Sequence, residues 1–125
     1  MIVGVGVDVT EVRRVREEVQ EHGEDILARF LTPAEIAYCR TKHDPVPHMA
    51  ARFAAKEAFV KALGTGLRQD LAWAQMEVRV DEGGRPTLAL SGRAAALARG
   101  AGVNHLHVSL SHERDYAVAL VVLEG

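Results

Sequence analysis

Residues 49–63 read MAARFAAKEAFVKAL, and Gly64 follows them. Alanine and other strong helix formers dominate this stretch, and a glycine directly after such a run is a common helix terminator. We therefore predict a helix over residues 49–63 that ends at Gly64, with residues 64–66 as its exit loop.

The segment before this helix begins with a strand pattern. Valines alternate with Gly4, Gly6 and Asp8 over residues 2–9, which predicts a β-strand with Asp8 near its end on the glycine face. From residue 11 the apolar period becomes helical, and Gly23 can cap the resulting amphipathic helix.

Residues 32–35 (TPAE) combine an N-cap, a proline and a capping-box glutamate, which predicts a short helix through about residue 40. Two prolines in residues 42–47 predict a loop after it.

The segment after Gly64 predicts a hairpin, a helix and two more strands. Alternating apolar residues give a hairpin from residues 76–80 and 87–90, and an alanine-rich helix then ends near residues 100–102. Residues 105–111 and 116–123 follow as strands. This order predicts an α+β fold in which helices pack on one face of a mainly antiparallel sheet.

Composition favours one soluble globular domain over residues 1–125. The chain is 48% apolar and 26% charged with a net charge of -2, so nothing favours nucleic acid as a partner. Cys39 is the only cysteine, which excludes an internal disulfide and fits the cytoplasm. No apolar run approaches the roughly 20 residues of a membrane helix, so we expect no membrane association.

Asp8 and Glu57 are the candidate metal ligands, because neither position needs an acid for folding. Two carboxylates from different elements, completed by water and substrate phosphates, are a common way to hold Mg²⁺. The alternatives are that Asp8 caps the first helix and that Glu57 pairs with Lys61 one turn further on.

Three basic residues stand at helical spacing around Glu57: Arg52, Lys56 and Lys61. They could place positive charge beside a metal-bound pyrophosphate, or they could form a solvated helix face. Residues 64–66 (GTG) could offer backbone N–H groups to a phosphate, although a helix C-cap also explains glycine there.

Two further chemistries are conceivable near the C-terminal strands. His105, His107 and His112 could form a zinc site with Cys39, but their spacing matches no closed zinc motif. A serine of residues 109–111 could pair with His112 as a nucleophile, but no glycine-flanked serine elbow accompanies it.

Arg13, Arg14 and Arg16 form the densest basic patch of the chain, diluted by Glu17 and Glu18. Such a patch can attract an acidic partner, or it can be an ordinary charged helix face.

Three stretches together resemble the holo-acyl-carrier-protein synthase family of phosphopantetheinyl transferases. These are residues 4–11 (GVGVDVTE), residues 52–62 (RFAAKEAFVKA) with 64–66, and residues 107–112 (HVSLSH). The resemblance extends over essentially the whole chain, although residues 37–48 match no family pattern. It implies transfer of phosphopantetheine from coenzyme A to a serine of an acidic acyl carrier protein in fatty acid biosynthesis, by a homotrimer with active sites between subunits.

The resemblance also implies residue roles. Asp8 and Glu57 would bind Mg²⁺, and Lys61 would contact the coenzyme A phosphates. Our own hypothesis is that Glu57, directly or through a metal-bound water, accepts the serine proton and that Lys61 stabilises the leaving phosphate. Arg13 and Arg14 would hold the carrier protein. The remaining coenzyme A site would comprise Arg52, Lys56, Gly64, Thr65, Gly66, Ser111 and His112. The main rival is a coenzyme A-binding or nucleotide-binding regulatory protein without catalysis.

Overall fold

The computed structural model describes residues 1–66 and 70–125. Its elements, in chain order, are β1 (Ile2–Glu11), α1 (Val12–His22), α2 (Glu24–Phe30), α3 (Pro33–Arg40), α4 (Pro45–Leu63), a 3₁₀ turn (Trp73–Gln75), β2 (Met76–Val80), β3 (Pro86–Leu90), α5 (Gly92–Gly100), β4 (His105–His112) and β5 (Tyr116–Glu124).

The strands form two antiparallel sheets. One has three strands in the order β1-β5-β4, and β2 and β3 form a separate hairpin. The predicted α+β class, with helices against antiparallel sheets, is confirmed. None of the helices in the described ranges is long and apolar enough to cross a membrane.

Two glycines let α4 lie directly on β1. A Cβ atom at Gly4 would overlap the carbonyl oxygen of Ala62, and one at Gly6 would overlap that of Ala58. Close approach of a helix backbone therefore requires glycine at both positions. The buried alanines of α4 continue this contact onto β5, where Val121 and Leu123 are fully buried.

The helix α4 begins earlier than its sequence pattern predicts. The predicted loop over residues 42–47 is wrong for its last three residues, because Pro45 and Pro47 lie in the first turn of α4. Proline is tolerated there because the first N–H groups of a helix have no intrahelical acceptor. Asp44 is the N-cap, and its side chain accepts a hydrogen bond from the Val46 N–H.

Two other short helices flank α4. The capping box of α3 is confirmed: the Glu35 N–H donates to Thr32 Oγ1 (3.2 Å) and the Thr32 N–H donates to Glu35 Oε1 (2.8 Å). The seven-residue helix α2 was not predicted. It packs beside α1 and closes one side of a cavity next to β1.

Candidate active site around Asp8 and Glu57

The contact between β1 and α4 brings the two predicted carboxylates to one place. Asp8 pairs in register with the buried Ala119 and lies on the glycine face that α4 covers. Glu57 comes from α4, and both residues line one cavity of about 610 Å³. Asp8 does not cap α1, because Glu11 occupies the N-cap position.

Lys61 pairs with Asp8 and not with Glu57. Its ammonium lies 3.0 Å from Asp8 Oδ1 and 3.1 Å from the Val7 carbonyl oxygen. Thr10 Oγ1 donates to the other Asp8 oxygen at 3.2 Å. The alternative of a Glu57–Lys61 pair is therefore not realised.

Glu57 is a partly buried carboxylate whose charge is poorly compensated. Within the described ranges, no ion pair or hydrogen bond engages its side chain. Partial burial raises the pKa of Glu57, the negative charge of Asp8 raises it further, and the positive charge of Lys61 opposes both. A cation between the two carboxylates would relieve this repulsion.

The donor set fits a hard divalent cation that keeps most of its own water. No group of three or more His, Cys, Asp or Glu residues suited to a metal ion occurs among residues 1–66 and 70–125. A closed zinc site needs about four protein ligands, whereas Mg²⁺ commonly takes one or two carboxylates plus water and phosphate oxygens. Asp8 and Glu57 fit the second pattern.

The expected role of Lys56 needs correction. Its ammonium is fully buried and donates to Glu35 Oε1 (2.6 Å), Phe30 O (2.8 Å) and Trp73 O (3.3 Å). An ammonium has three donors, so none remains for a ligand. Helical spacing alone could not reveal this, because it is the packing of α3 and the 3₁₀ turn that covers this side of α4.

Arg52 is also buried, so the alternative of a solvated helix face holds for neither Lys56 nor Arg52. Its side chain is 3% exposed, donates to the His48 carbonyl oxygen (3.1 Å) and lies over the Tyr38 ring at 4.4 Å. Its Nε has no partner within the part of the chain that the structure describes. Arg52 therefore keeps an unused donor.

The glycine loop lies beyond the C-terminal end of α4. Gly64 has φ 76° and ψ 7°, and its N–H bonds the carbonyl oxygens of Val60 and Lys61. This left-handed conformation explains glycine at the helix end without a ligand. Residues 64–66 are all exposed and begin three residues after Lys61.

Ser111 and His112, which are predicted to line the coenzyme A site, lie near the N-terminal end of α4. The His112 ring contacts the His48 ring, with centroids 4.4 Å apart in an edge-to-face arrangement. Positions 48 and 64 are about 24 Å apart along the helix axis. One protomer therefore separates the glycine loop from His112.

The histidines and the cysteine that suggested zinc do not meet. Cys39 is buried in α3 among Leu27, Leu31 and Met49, and burial raises the pKa of its thiol. His107 lies on the three-stranded sheet with its Nε2 3.0 Å from Glu124 Oε1. The structure thus removes the basis for a zinc site with Cys39.

The three arginines of α1 have different environments. Arg14 lines the cavity that holds Asp8 and Glu57, whereas Arg13 is exposed and lies 3.7 Å from both Glu11 and Glu17. Arg16 forms a two-bond ion pair with Asp44, at 2.7 and 3.3 Å. Of these three arginines, Arg14 therefore places its guanidinium at the candidate site.

The cavity floor is a feature that the sequence did not reveal. Apolar side chains from α1, α2 and α4 extend it away from the carboxylates: Val15, Val19, Ile26, Leu27, Phe30, Leu31, Met49 and Phe53. Prediction of this floor would have required knowing that α2 is a helix. Apolar walls with a few polar groups at one end are typical of binding pockets.

The arrangement is that of an α+β domain with two carboxylates in one cavity, a donor set that fits a divalent cation. A family model for the 4′-phosphopantetheinyl transferase superfamily matches residues 4–121. The chain belongs to this superfamily.

Individual relatives agree over the full length. A holo-[acyl-carrier-protein] synthase of Koribacter versatilis is 49% identical over 124 residues, covering 99% of both chains. The crystal structure of the Neisseria meningitidis synthase is similar with a TM-score of 0.90 at 34% identity, covering all of both chains. The Helicobacter pylori synthase, solved in complex with coenzyme A, gives a TM-score of 0.84 at 29% identity, covering 96% of this chain and 99% of that one.

Proposed function

We propose that this chain transfers the 4′-phosphopantetheine group of coenzyme A to a serine of an apo acyl carrier protein, with Mg²⁺ held by Asp8 and Glu57. The observation that carries the proposal is that these two carboxylates share one cavity, with Lys61 beside Asp8. Membership of the superfamily and full-length similarity to holo-[acyl-carrier-protein] synthases support the substrates.

The reaction breaks the phosphoanhydride bond of the coenzyme A pyrophosphate and forms a phosphate ester bond to the serine. The serine Oγ bonds to the phosphorus that carries the pantetheine arm, and the bond from that phosphorus to the bridging oxygen breaks. Adenosine 3′,5′-bisphosphate leaves with the electron pair. When bound, Mg²⁺ supplies charge neutralisation at the pyrophosphate.

The residues of the chain supply proton acceptance and positioning. Glu57 takes the serine proton, because its carboxylate lines the cavity and has no ion-pair or hydrogen-bond partner among the described residues. Lys61 is 55% exposed, so its ammonium can also reach a phosphate oxygen of the leaving group.

The carrier protein approaches from the α1 side of the cavity. Arg14 lies at this side and would attract an acidic carrier by local potential, despite the negative charge of the whole chain. The apolar floor would accept an apolar carrier side chain next to the serine, which adds buried area to the charge contact.

An assembly of three protomers would complete the site. The outer face of the three-stranded sheet is apolar and exposed, with Val5 57%, Val7 54% and Val9 59% accessible. Such a contiguous patch is typical of an interface. Active sites between subunits would account for the separation of the glycine loop from His112 within one protomer.

Sedimentation velocity tests the assembly. Val7→Lys is expected to reduce a trimer to monomers and to abolish turnover, because it inserts a charge into the apolar face. Thr87→Lys, on the exposed part of β3, is the matched control and should remain trimeric. A fully active wild-type monomer would contradict this part of the proposal.

Intact mass spectrometry of an apo acyl carrier protein tests the activity. Incubation with the protein, coenzyme A and Mg²⁺ is expected to add one phosphopantetheine group to the carrier. EDTA and Asp8→Asn should each prevent the addition, whereas Asp25→Asn on exposed α2 should not. Coenzyme A binding without any change in carrier mass would instead indicate a non-catalytic binding protein.

A further inference from the structure

Lys56 and Glu35 form an ion pair whose two side chains are both fully buried. Besides the ammonium, Glu35 Oε1 accepts from the Thr32 N–H (2.8 Å), and Oε2 accepts from the Val78 N–H (2.8 Å). All three ammonium donors and both carboxylate oxygens are thus used. The pair is connected to the backbone of three other segments, the end of α2, the 3₁₀ turn and β2, and to the N-cap of α3, the helix that contains Glu35.

Stability alone does not account for a pair of this kind. Replacement of a buried ion pair by apolar residues of similar size is often neutral or stabilising, because desolvation offsets much of the attraction. Hydrogen bonds, however, are directional, whereas apolar contacts allow a helix to rotate or slide. The distinctive effect of the pair is therefore to fix the orientation of α4.

That orientation decides where Glu57 points. Residues 56 and 57 are adjacent on α4, so their directions differ by about 100° around the helix axis. With Lys56 anchored on Glu35, the next side chain faces the cavity that Asp8 also lines. The Phe30 carbonyl oxygen that accepts from Lys56 belongs to a residue that lines the same cavity.

We propose that Lys56 and Glu35 are positioning residues, which hold α4 and the end of α2 so that Glu57 faces Asp8 across the cavity. This inference rests on the proposed function, since it assigns the pair to the placement of a metal ligand. It replaces the role of Lys56 as a phosphate contact.

The paired substitution Lys56→Met with Glu35→Leu tests the proposal, because it removes both charges together and keeps the volume. The expected result is a protein that is folded at the assay temperature but melts at a lower temperature than the wild type, because the N–H groups of Thr32 and Val78 lose their carboxylate acceptor. Its kcat should fall at least 10-fold, and the strengthening of coenzyme A binding by Mg²⁺, measured by calorimetry, should fall at least 5-fold. Met76→Leu, a fully buried substitution on the neighbouring strand β2, is the control and should leave both quantities unchanged.

A folded double variant with kcat and Mg²⁺ dependence within twofold of the wild type would overturn the proposal. If the double variant does not fold, Glu35→Gln decides the matter, because it keeps the size and one acceptor oxygen. A folded Glu35→Gln protein should then show kcat and Mg²⁺ dependence reduced together by about 3-fold, and normal values for both would overturn the proposal.

Calorimetry separates this inference from the proposed function. A wild-type protein that binds coenzyme A in a Mg²⁺-dependent way but modifies no carrier would contradict the transfer reaction. The effect of the double variant on Mg²⁺-dependent binding would still test the positioning role in that case.

Discussion

Two adjacent residues of α4 carry opposite charges in opposite kinds of environment. Lys56 is 0% exposed, and each of its donors has a protein acceptor. Glu57 is partly exposed, has a raised pKa, and engages in no ion pair with the residues that the structure describes. The fold thus compensates the charge that fixes its own geometry and leaves uncompensated the charge that is available to a ligand.

Loss of Lys56 alone should give the largest effect on stability. Lys56→Ala leaves the Glu35 carboxylate buried without its cation, which typically costs about 3–5 kcal/mol. Urea denaturation should show this loss in the free energy of unfolding. Lys61→Ala is the matched control and should cost less than about 1 kcal/mol, because the Lys61 side chain is 55% exposed and water screens its pair with the 16%-exposed Asp8. An unchanged free energy of unfolding in Lys56→Ala would contradict the structural role assigned to Lys56.

Loss of the Glu57 charge should have the reverse profile, with a large effect on catalysis and none on folding. Glu57→Gln is expected to lower kcat by about 10²–10⁴-fold, the usual range for a general base. Because the folded state raises the pKa of Glu57, its ionised form destabilises the free protein as the pH rises above the ordinary value of 4.5. The neutral amide should therefore melt at the same temperature as the wild type or higher at pH 7, and a lower melting temperature would show that Glu57 stabilises the fold.

The sequence of α4 predicts the helix, but it does not predict which of its charged residues are buried. The residue pattern predicted the helix and placed Asp8 on the glycine face of the strand, but it left the roles of Asp8 and Glu57 open, and the preference for a shared metal site came from the family resemblance. It could not separate Lys56 from Lys61, since both stand at regular helical spacing. Their difference arises from tertiary packing, in which Glu35 and the 3₁₀ turn cover one side of α4.

Short local sequence signals explain which other elements of secondary structure were predicted correctly and which were not. The capping box at Thr32 and Glu35 was predicted correctly, because both partners lie within one turn. The helix α2 was missed since seven residues hold too little periodicity to identify a helix. Pro45 and Pro47 suggested a loop, although proline is equally compatible with a first helical turn.

Arg14 and Arg13 on α1 give a second comparison with a smaller expected effect. Arg14 faces the cavity, whereas the charge of Arg13 is compensated by glutamates of the same chain. Arg14→Glu should raise the KM for the carrier protein by about 10-fold and leave coenzyme A affinity unchanged, because charge reversal at a rim mainly slows association. Arg13→Glu should have a weaker effect, since Arg13 already lies 3.7 Å from Glu11 and Glu17. Steady-state kinetics at low salt would measure both, and equal effects would show that the patch acts as a whole.

The smallest expected effect concerns the pH dependence of folding at the His48–His112 contact. Burial lowers the pKa of His48 below its ordinary value of 6.5, and the nearby charges of His112, Arg52 and Lys42 lower it further, against a smaller opposing effect of Asp44. The unfolded state therefore binds more protons, so the free energy of unfolding should fall as the pH drops from about 6.5 through the lowered pKa. His48→Gln should flatten this slope in denaturation curves, and an unchanged slope would assign the pH dependence to other groups.

Calorimetric titration of coenzyme A, with and without Mg²⁺, tests the central claim most directly: that Glu57 is free for a metal ion while its neighbour is committed to the fold. Mg²⁺ should strengthen coenzyme A binding at least 10-fold in the wild type and equally in Glu82→Gln, a control in the exposed turn after β2. In Glu57→Gln this strengthening should disappear. Retention of the full Mg²⁺ effect in Glu57→Gln would contradict the assignment of Asp8 and Glu57 as the metal site.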